Sequence, residues 1–254
     1  MPASQDYSAW ITRPKPSPNA RLRLFCLPYA GGGASIYRTW PDILPPEIEV
    51  CPIQLPGREQ RFNDPRFTDI RPLVDALGQE LAPFLNTPFA FFGHSMGAII
   101  GFELTRYLRR LNLPEPELLL VSAHRAPQIP DRREPIHQMP DREFIQELSL
   151  LKGMPDVVLA NNDLVALMAP LLRADFAIAE TYTYINEAPL KCPISVFGGL
   201  QDEGITKDDL TAWQKQTEAA CMLHMVNGDH FFFVNDRVTI LRVIFQDLQR
   251  TCLR

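Results

Sequence analysis

The stretch "FAFFGHSMGAIIGFEL", residues 89 to 104, decides the fold that we predict for this chain. An apolar segment ends at Gly93 and a second one begins after Gly97, so that Ser95 stands between two glycines. A strand that runs into a sharp turn and then a helix has this pattern, because the strained turn pushes the serine hydroxyl out above the sheet edge. The flanking glycines allow the close backbone approach that such a turn needs. We therefore predict an exposed, nucleophilic Ser95 rather than a buried structural serine.

Short apolar segments alternate with helical patterns along the rest of the chain. Besides residues 88 to 93, strands are predicted over residues 21 to 30, 49 to 57, 117 to 123, 192 to 199 and 221 to 228. Helices are predicted over residues 69 to 85, 98 to 111 and 237 to 252, and a helix-length stretch around Trp40 separates the first two strands. Apolar strands interleaved with helices are typical of parallel sheets. We predict an α/β fold with a mostly parallel central sheet and helices on both faces.

The alternation is interrupted between about residues 125 and 184, where helical patterns replace strands. One apolar stripe at helical spacing comprises Leu164, Leu167, Met168, Leu171 and Leu172. Pro170 lies inside this stripe and predicts a kink or a split in the helix. We predict an N-terminal leader over residues 1 to 20 and a single domain over residues 21 to 254, which carries the insertion as a helical lid.

Composition and charge exclude several classes of protein. The chain of 254 residues is 46% hydrophobic, and its net charge of −5 provides no basic field to hold nucleic acid or an anionic membrane. The N-terminus has no apolar core of signal-peptide length and no window reaches a membrane span, so we expect a cytoplasmic location. Because no heptad pattern is present, we expect a monomer.

The cysteines lack the spacing of a metal site. They are odd in number and scattered, without a C-x-x-C pair or a histidine at ligand spacing: Cys26, Cys51, Cys192, Cys221 and Cys252. We expect buried, reduced thiols and no bound metal.

A serine nucleophile needs a base, and this architecture orders the partners along the chain as serine, acid and histidine. Three histidines precede any late acid: His94, His124 and His137. His224 lies inside a strand pattern, where a half-buried side chain with a satisfied hydrogen bond is the ordinary role. His230, in "NGDHFFF", follows a strand in a turn that can present it to the sheet edge. We predict His230 as the base, with His224 as the alternative.

The acid is predicted from "ISVFGGLQDEGIT", which puts Asp202 just beyond the end of a strand. Its competitors are Glu203, Asp208 and Asp209, of which the last two are expected to cap or begin the helix "DDLTAWQKQ". Asp229 is expected to shape the turn that holds His230.

The oxyanion of a tetrahedral intermediate needs preorganised N–H donors. We predict one donor at Met96, the residue after the nucleophile, and the other at Ala30 in the loop "CLPYAGGGA", residues 26 to 34. A dinucleotide site is excluded because Gly31-x-Gly33-x-x-Ile36 lacks the third glycine. A merely flexible turn is the alternative.

These residues resemble a known family, the stand-alone type II thioesterases that accompany nonribosomal peptide and polyketide synthases, within the α/β-hydrolase superfamily. The resemblance extends over about residues 20 to 250 and is carried by "LFCLPYAGGGAS", "PIQLPGREQRF", "FFGHSMGA", "SAHRAP", "LMAPLLRADF", "VFGGLQDEGIT" and "GDHFFF". "GHSMG" is shared with many hydrolases, whereas "P-Y-A-G-G", "L-P-G-R" and "L-L-R-A-D-F" together are specific. The resemblance implies an α/β-hydrolase fold.

The family's functional residues carry over to the positions that chain order selects: Ser95, Asp202, His230 and the N–H groups of Ala30 and Met96. Relatives often have two adjacent acids after the strand, and Gln201 stands at the first of those positions here. This departure leaves Asp202 as the acid.

The resemblance implies hydrolysis of acyl thioesters on the phosphopantetheine arm of carrier proteins, without a metal or a bound cofactor. It further implies an editing role, the removal of stalled or mis-primed acyl groups, with a carrier protein as the partner. The insertion matches the family's lid over a chamber that the arm enters. In that chamber Met168, Leu172 and Phe176 line the acyl site or serve simple packing.

Two other functions are alternatives to this prediction. The first is an esterase, a lipase or a fatty-acid chain-terminating thioesterase of the same fold, and the second is a carrier-binding module without turnover. Arginines are available for an acidic carrier, although we favour solvated faces and loop charges as their role: Arg58, Arg61, Arg66, Arg106, Arg109, Arg110, Arg132 and Arg133.

Overall fold

The computed structural model describes residues 8 to 151 and 161 to 253. Within these ranges six strands form one sheet: β1 (Leu22–Leu27), β2 (Ile48–Pro52), β3 (Phe89–His94), β4 (Leu118–Ser122), β5 (Ile194–Gly199) and β6 (Cys221–Val226). The strand order is β2-β1-β3-β4-β5-β6, and every neighbouring pair is parallel. The predicted α/β class is confirmed.

Helices cover both faces of this sheet, as predicted. The α-helices of the described residues are α1 (Ile70–Leu81), α2 (Met96–Arg110), α3 (Asp141–Leu150), α4 (Asn162–Glu180), α5 (Lys207–Thr211), α6 (Phe232–Asn235) and α7 (Arg237–Thr251). Successive residues of β1 point to opposite faces, so Phe25 packs in the core with α1 and α2, whereas Leu24 packs in the core with α7. Both faces are buried, which explains why the strands read as apolar runs without alternation.

The stretch around Trp40 forms two short 3₁₀ helices, Ala34–Tyr37 and Trp40–Asp42, rather than one long helix. Prolines at positions 41, 45 and 46 prevent a longer one, because proline lacks the N–H donor and clashes with the preceding turn. The Trp40 side chain is buried, and its ring centroid lies 4.9 Å from that of Phe92. The segment therefore serves as a cover for the sheet.

The insertion between β4 and β5 contains α3 and α4, and the described part of residues 125 to 184 holds no strand. Residues 152 to 160 of the predicted lid lie outside the described residues. Helix α4 runs unbroken through Pro170, so the predicted split is wrong. Pro170 and Ala166 are both exposed, so water can solvate the carbonyl that loses its donor.

The apolar stripe of α4 is buried over part of its length. Leu171 and Leu172 are buried, whereas Leu164 and Leu167 are exposed. The C-terminal half of the stripe is therefore buried, with Leu172 in an apolar cluster of lid residues.

The described part of the predicted leader contacts the domain. Trp10 and Ile11 are buried, Ile11 pairs with Ile53 in an antiparallel bridge, and the Thr12 N–H donates to the Pro52 carbonyl at 2.9 Å. Residues 1 to 7 lie outside the described residues. In the described ranges, no helix combines the length and apolar character needed to cross a membrane.

All five cysteines are free thiols, as expected. Three are buried, namely Cys26, Cys51 and Cys192, whereas Cys221 and Cys252 are half-buried. Burial raises the pKa of the thiols of Cys51, Cys192 and Cys252 to about 12 and that of Cys221 to about 11. These thiols stay protonated at neutral pH.

The sheet order has a switch point between β1 and β3. The chain leaves β1 for β2 on one side, and it continues from β3 towards β4 on the other side. In such sheets a crevice opens beyond the carboxyl ends of the two strands, because their connections diverge. The loop of residues 28 to 33 follows β1 and Ser95 follows β3, so both lie at this crevice.

The turn between β3 and α2 depends on the glycines that flank Ser95. A Cβ atom at Gly93 would lie 2.1 Å from the Gly97 carbonyl oxygen, and one at Gly97 would lie 2.3 Å from the Leu27 carbonyl oxygen. Backbone atoms cannot yield as the end of a flexible side chain can. The sequence-based reason for the two glycines is therefore confirmed.

We expect Gly93→Ala to lower the free energy of unfolding by about 3 kcal/mol, the upper end of the roughly 1 to 3 kcal/mol that overpacking costs, because the clash is with backbone atoms. Gly101→Ala in α2 is the matched control, because its added methyl would meet the Leu27 side chain at 3.1 Å. Urea unfolding of both variants measures the difference. Equal stability of the two variants would contradict the argument.

Candidate active site

Ser95 occupies a strained backbone conformation at the turn after β3. Its φ of +53° and ψ of −117° lie outside the regions that L-residues favour, at a cost of roughly 1 to 3 kcal/mol. The strain is held by two hydrogen bonds: the Ser95 N–H donates to the Ser122 carbonyl at 2.8 Å, and the Ser95 carbonyl accepts the Ala98 N–H at 2.9 Å. Ser95 is half-buried rather than fully exposed, whereas its neighbours His94 and Met96 are buried.

A cavity of about 500 Å³ lies at the carboxyl edge of the sheet. It brings together every residue that the sequence selects for the chemistry: Ala30, Ser95, Met96, Asp202 and His230. The candidate site is therefore one space lined by the lid and by the segments that follow β1, β3, β4, β5 and β6.

His230 and Asp202 form a hydrogen-bonded pair. The Nδ1 atom of His230 lies 2.8 Å from Oδ2 of Asp202, whose side chain is 4% exposed. Oδ1 of Asp202 accepts the Gly204 N–H at 2.9 Å, so both carboxylate oxygens are occupied. Since the carboxylate takes Nδ1, Nε2 of His230 is the nitrogen left for a hydroxyl or a leaving group.

Gln201 joins the loop of the acid to the loop of the histidine. Its N–H donates to the Gly228 carbonyl at 3.0 Å, and its Oε1 accepts the Gly228 N–H. Sequence reasoning counted Gln201 as a missing acid and overlooked this contact. The amide holds the two loops together without adding a second negative charge beside Asp202.

Asp229 shapes the histidine turn, as predicted, because its Oδ1 accepts the Phe231 N–H at 3.0 Å. The alternative base, His224, lies elsewhere. Its Nε2 is 2.7 Å from Oδ2 of Asp247 in α7, and its ring stacks on Phe197 with 4.9 Å between centroids. The predicted satisfied, half-buried role of His224 is confirmed.

The alternative acids do not bond His230 in the structure. Asp209 accepts two hydrogen bonds from Arg132 at 2.8 and 2.9 Å, and it forms a capping box with Thr206 at the start of α5. The capping role predicted for this helix is confirmed. Glu203 lines the cavity, but the His230 ring bonds Asp202.

Two further histidines beside the site are held neutral. Burial lowers the pKa of His94 well below its usual value, and His94 Nδ1 lies 2.9 Å from the Ser122 hydroxyl. Burial and the neighbouring Arg125 lower the pKa of His124 to about 4. The His94 and His230 ring centroids are 5.3 Å apart. Because His94 and His124 stay uncharged, they leave His230 free of cationic imidazole neighbours.

The two predicted oxyanion donors line the cavity. Across the described residues, neither the Ala30 N–H nor the Met96 N–H has a hydrogen-bond acceptor. Met96 is the first residue of α2, where N–H groups are unpaired within the helix and the helix dipole favours negative charge. The next N–H in the loop, that of Gly31, donates to Oδ2 of Asp175 at 2.7 Å. The N–H groups of Ala30 and Met96 can therefore donate to an oxyanion that develops in the cavity.

The lid supplies an apolar wall opposite the polar groups. Met168, Leu172 and Phe176 of α4 all line the cavity, together with Leu148 and Leu151 from the segment of α3. Leu172 is also buried in a small apolar cluster of the lid. This side chain therefore both lines the cavity and packs against other lid residues.

Most of the arginines considered for a partner surface form ion pairs within the chain. Arg58 pairs with Asp175, Arg61 with Asp64, Arg132 with Asp209, Arg133 with Asp131, and Arg106, Arg109 and Arg110 with Glu187. Each of these arginines therefore has a carboxylate partner within the chain, and Arg106, Arg109 and Arg110 share theirs.

These elements define the α/β-hydrolase class: a parallel sheet covered on both faces, a strained serine turn after β3, and a histidine–carboxylate pair after β5 and β6. The chain belongs to the Thioesterase domain family, whose model matches residues 22–248. The predicted hydrolase fold and thioesterase class are confirmed.

Similarity to individual proteins agrees with this family. The chain is 43% identical over 240 residues to the Gramicidin S biosynthesis protein GrsT of Aneurinibacillus migulanus, with 94% of each chain covered. It is 44% identical over 245 residues to Linear gramicidin dehydrogenase LgrE of Brevibacillus parabrevis, covering 95% of this chain and 93% of that protein. The solved structure of the type II thioesterase BorB from the borrelidin biosynthetic cluster has a TM-score of 0.86 at 35% identity, covering 94% and 97%. The resemblance to type II thioesterases is confirmed.

We expect Asp202→Asn to lower kcat by about 10³- to 10⁴-fold, because an amide in place of the carboxylate no longer stabilises the imidazolium or fixes its tautomer. Glu203→Gln changes a neighbouring acid of the same cavity and should stay within about threefold of the wild type. Steady-state hydrolysis of a soluble acyl thioester measures both. A loss confined to Glu203→Gln would move the acid by one position.

Replacement of His230 by alanine removes the base and should lower kcat by at least about 10⁴-fold, since members of a triad act as a unit. The control is His224→Ala, which also breaks a histidine–aspartate bond but lies outside the cavity. It should lose stability and keep its turnover per folded molecule, measured with circular dichroism as the check on folding. The reverse result would make His224 the base.

Proposed function

We propose that this chain hydrolyses acyl thioesters on the phosphopantetheine arm of carrier proteins and so clears stalled or mis-primed acyl groups from a nonribosomal peptide or polyketide synthase. One observation carries the proposal. Ser95, the His230–Asp202 pair and two N–H groups that have no acceptor within residues 8 to 151 and 161 to 253 surround a single cavity with an apolar lid wall. Such a space suits an acyl chain beside an activated hydroxyl.

The reaction proceeds through an acyl-enzyme. Ser95 Oγ attacks the thioester carbonyl while Nε2 of His230 takes its proton, and Asp202 stabilises the resulting imidazolium. The N–H groups of Ala30 and Met96 donate to the oxyanion. The imidazolium then returns the proton to the departing pantetheine sulfur. A water molecule deprotonated by His230 hydrolyses the acyl-enzyme in the same way and releases the acid.

The names of the relatives support a biosynthetic setting. GrsT is named for gramicidin S biosynthesis, and BorB is described as a type II thioesterase of a biosynthetic cluster. An editing enzyme of this kind needs a carrier protein as its partner. Because most arginines are paired internally, we expect the arm itself, rather than a basic surface, to supply much of the recognition.

The name of LgrE raises a dehydrogenase as a second function, and the glycine loop argues against it. A dinucleotide fingerprint leaves the N–H groups of the loop and of the following helix free for a pyrophosphate. Here the Gly31 N–H is taken by the Asp175 carboxylate, whose charge would repel a pyrophosphate. Two 3₁₀ helices also stand where the phosphate-binding α-helix would begin.

We further propose a monomer in the cytoplasm that needs no metal or bound cofactor. The free thiols of Cys26, Cys51 and Cys192 support this location, because reducing compartments keep cysteines unpaired. The chemistry above uses side chains and backbone N–H groups alone.

The test is release of acetate and of longer acyl groups from a phosphopantetheinylated carrier protein, compared with a p-nitrophenyl ester of the same acyl group. We expect faster clearance of the carrier, lost in Ser95→Ala, whose fold should be intact because only the hydroxyl is removed. Ester hydrolysis with the carrier left untouched would indicate a general esterase. Carrier binding without turnover, together with no labelling of Ser95 by a fluorophosphonate probe, would indicate a non-catalytic module.

A further inference from the structure

A buried ion pair joins two motifs that the chemistry above leaves unused. Arg58 ends the "LPGR" segment after β2, and Asp175 lies in the "LLRADF" segment of the lid helix α4. Nη2 of Arg58 donates to Oδ1 of Asp175 at 2.8 Å, and Nη1 donates to Oδ2 at 2.8 Å. The two side chains are 6% and 1% exposed. The pair is therefore bidentate and shielded from water.

This pair also forms hydrogen bonds with the loop that contains Ala30. Oδ2 of Asp175 also accepts the Gly31 N–H at 2.7 Å, and Nη1 of Arg58 also donates to the Gly32 carbonyl at 2.9 Å. The Gly32 N–H donates back to the Tyr29 carbonyl at 2.9 Å. Adjacent peptide groups are thus held on both sides of Ala30, whose own N–H has no acceptor among the described residues.

The backbone conformation and the close packing at Gly31 both favour glycine at this position of the loop. Its φ of +79° is one that glycine adopts readily and L side chains rarely do. A Cβ at this position would lie 2.6 Å from the Leu172 side chain, which lines the cavity one turn before Asp175. The remaining Arg58 donors are also used, since Nε and Nη2 each donate to the Pro56 carbonyl at 3.2 Å. All five N–H donors of Arg58 are therefore used by Asp175, Gly32 and Pro56.

We propose that Asp175 and Arg58 are positioning residues, which orient the Ala30 N–H towards the oxyanion and tie that donor to the lid helix. The proposal rests on the proposed function, in which Ala30 is an oxyanion donor. Helix α4 carries both Asp175 and the apolar wall of the cavity. A displacement of this helix therefore removes the acyl wall and releases the oxyanion loop together.

The decisive variant is Asp175→Asn, which keeps the size of the side chain but cannot accept both the Gly31 N–H and the two Arg58 donors. We expect kcat on an acylated carrier to fall about 10²-fold, the effect of a displacement of about 1 Å in a catalytic group. KM should stay within about twofold, because the oxyanion forms only after binding.

Three measurements separate positioning from general destabilisation. An alkyl trifluoromethyl ketone adds to the serine hydroxyl and puts an oxyanion in the hole, so its affinity should fall in parallel with kcat. A carrier loaded through an unreactive amide should bind as it does to the wild type. Hydrogen exchange followed by mass spectrometry should be faster at residues 28 to 33, which contain the released Gly31 N–H.

The matched control is Glu49→Gln. Glu49 is another buried carboxylate, 1% exposed, held by Arg13 at 2.6 Å and Arg23 at 3.2 Å. It lies at the amino ends of β1 and β2, at the sheet edge opposite the cavity. This variant should lose thermal stability while keeping kcat, ketone affinity and exchange in the loop.

A second variant, Arg58→Lys, covers the case in which Asp175→Asn does not fold. Lysine keeps the charge but cannot donate to Asp175 and Gly32 with a planar fork, so the same drop in kcat and in ketone affinity is expected. Folded variants that behave like Glu49→Gln would overturn the inference. Failure of the proposed function has a different signature, which is an inactive wild type or an active Ser95→Ala.

Discussion

The close approach of backbone at the end of β3 is the constraint on which the rest of the site depends. Gly93 lies against Gly97, and Gly97 in turn lies against the carbonyl of Leu27 at the end of β1. The first contact forces Ser95 into its strained conformation, and the second brings the loop that begins at residue 28 beside the start of α2. These backbone contacts of Gly93 and Gly97 therefore place the Ser95 hydroxyl and both oxyanion donors in one crevice. The crevice lies at the switch point of the sheet, where the connections diverge.

The acid and the base are held by a different principle. They stand on loops after β5 and β6, two neighbouring parallel strands whose register is set by six pairs of residues. Gln201 and Gly228 continue that pairing beyond the strands, so Asp202 and His230 meet without a long flexible connection. Asp202 is the carboxylate that bonds His230, and the two buried histidines beside the site, His94 and His124, are neutral. The imidazolium of His230 is therefore stabilised by one negative charge and is not opposed by another cationic imidazole.

Local patterns allowed much of the fold and the site to be predicted. Apolar runs mark the strands, the glycines around Ser95 mark the turn, and a position after a strand rather than inside one separates His230 from His224. The remainder depends on contacts between distant segments. Neither the partner of Arg58, 117 residues away, nor the bond between Gln201 and Gly228 has a periodic signal. At Pro170 the split that was predicted as the alternative to a kink does not occur, because solvent and packing outweigh helix propensity.

The buried thiols have a consequence for an enzyme whose substrate is itself a thioester. A thiolate close to the acyl group would exchange with it and retain the acyl chain on the protein. Burial raises the pKa of Cys51 and Cys192 to about 12, and it raises the pKa of Cys26 further above its usual value, so these sulfurs remain protonated and out of reach. The pantetheine thiol is thereby the sulfur that takes part in the reaction. The acyl group is transferred to the Ser95 oxygen and then to water, and no cysteine of the protein competes for it.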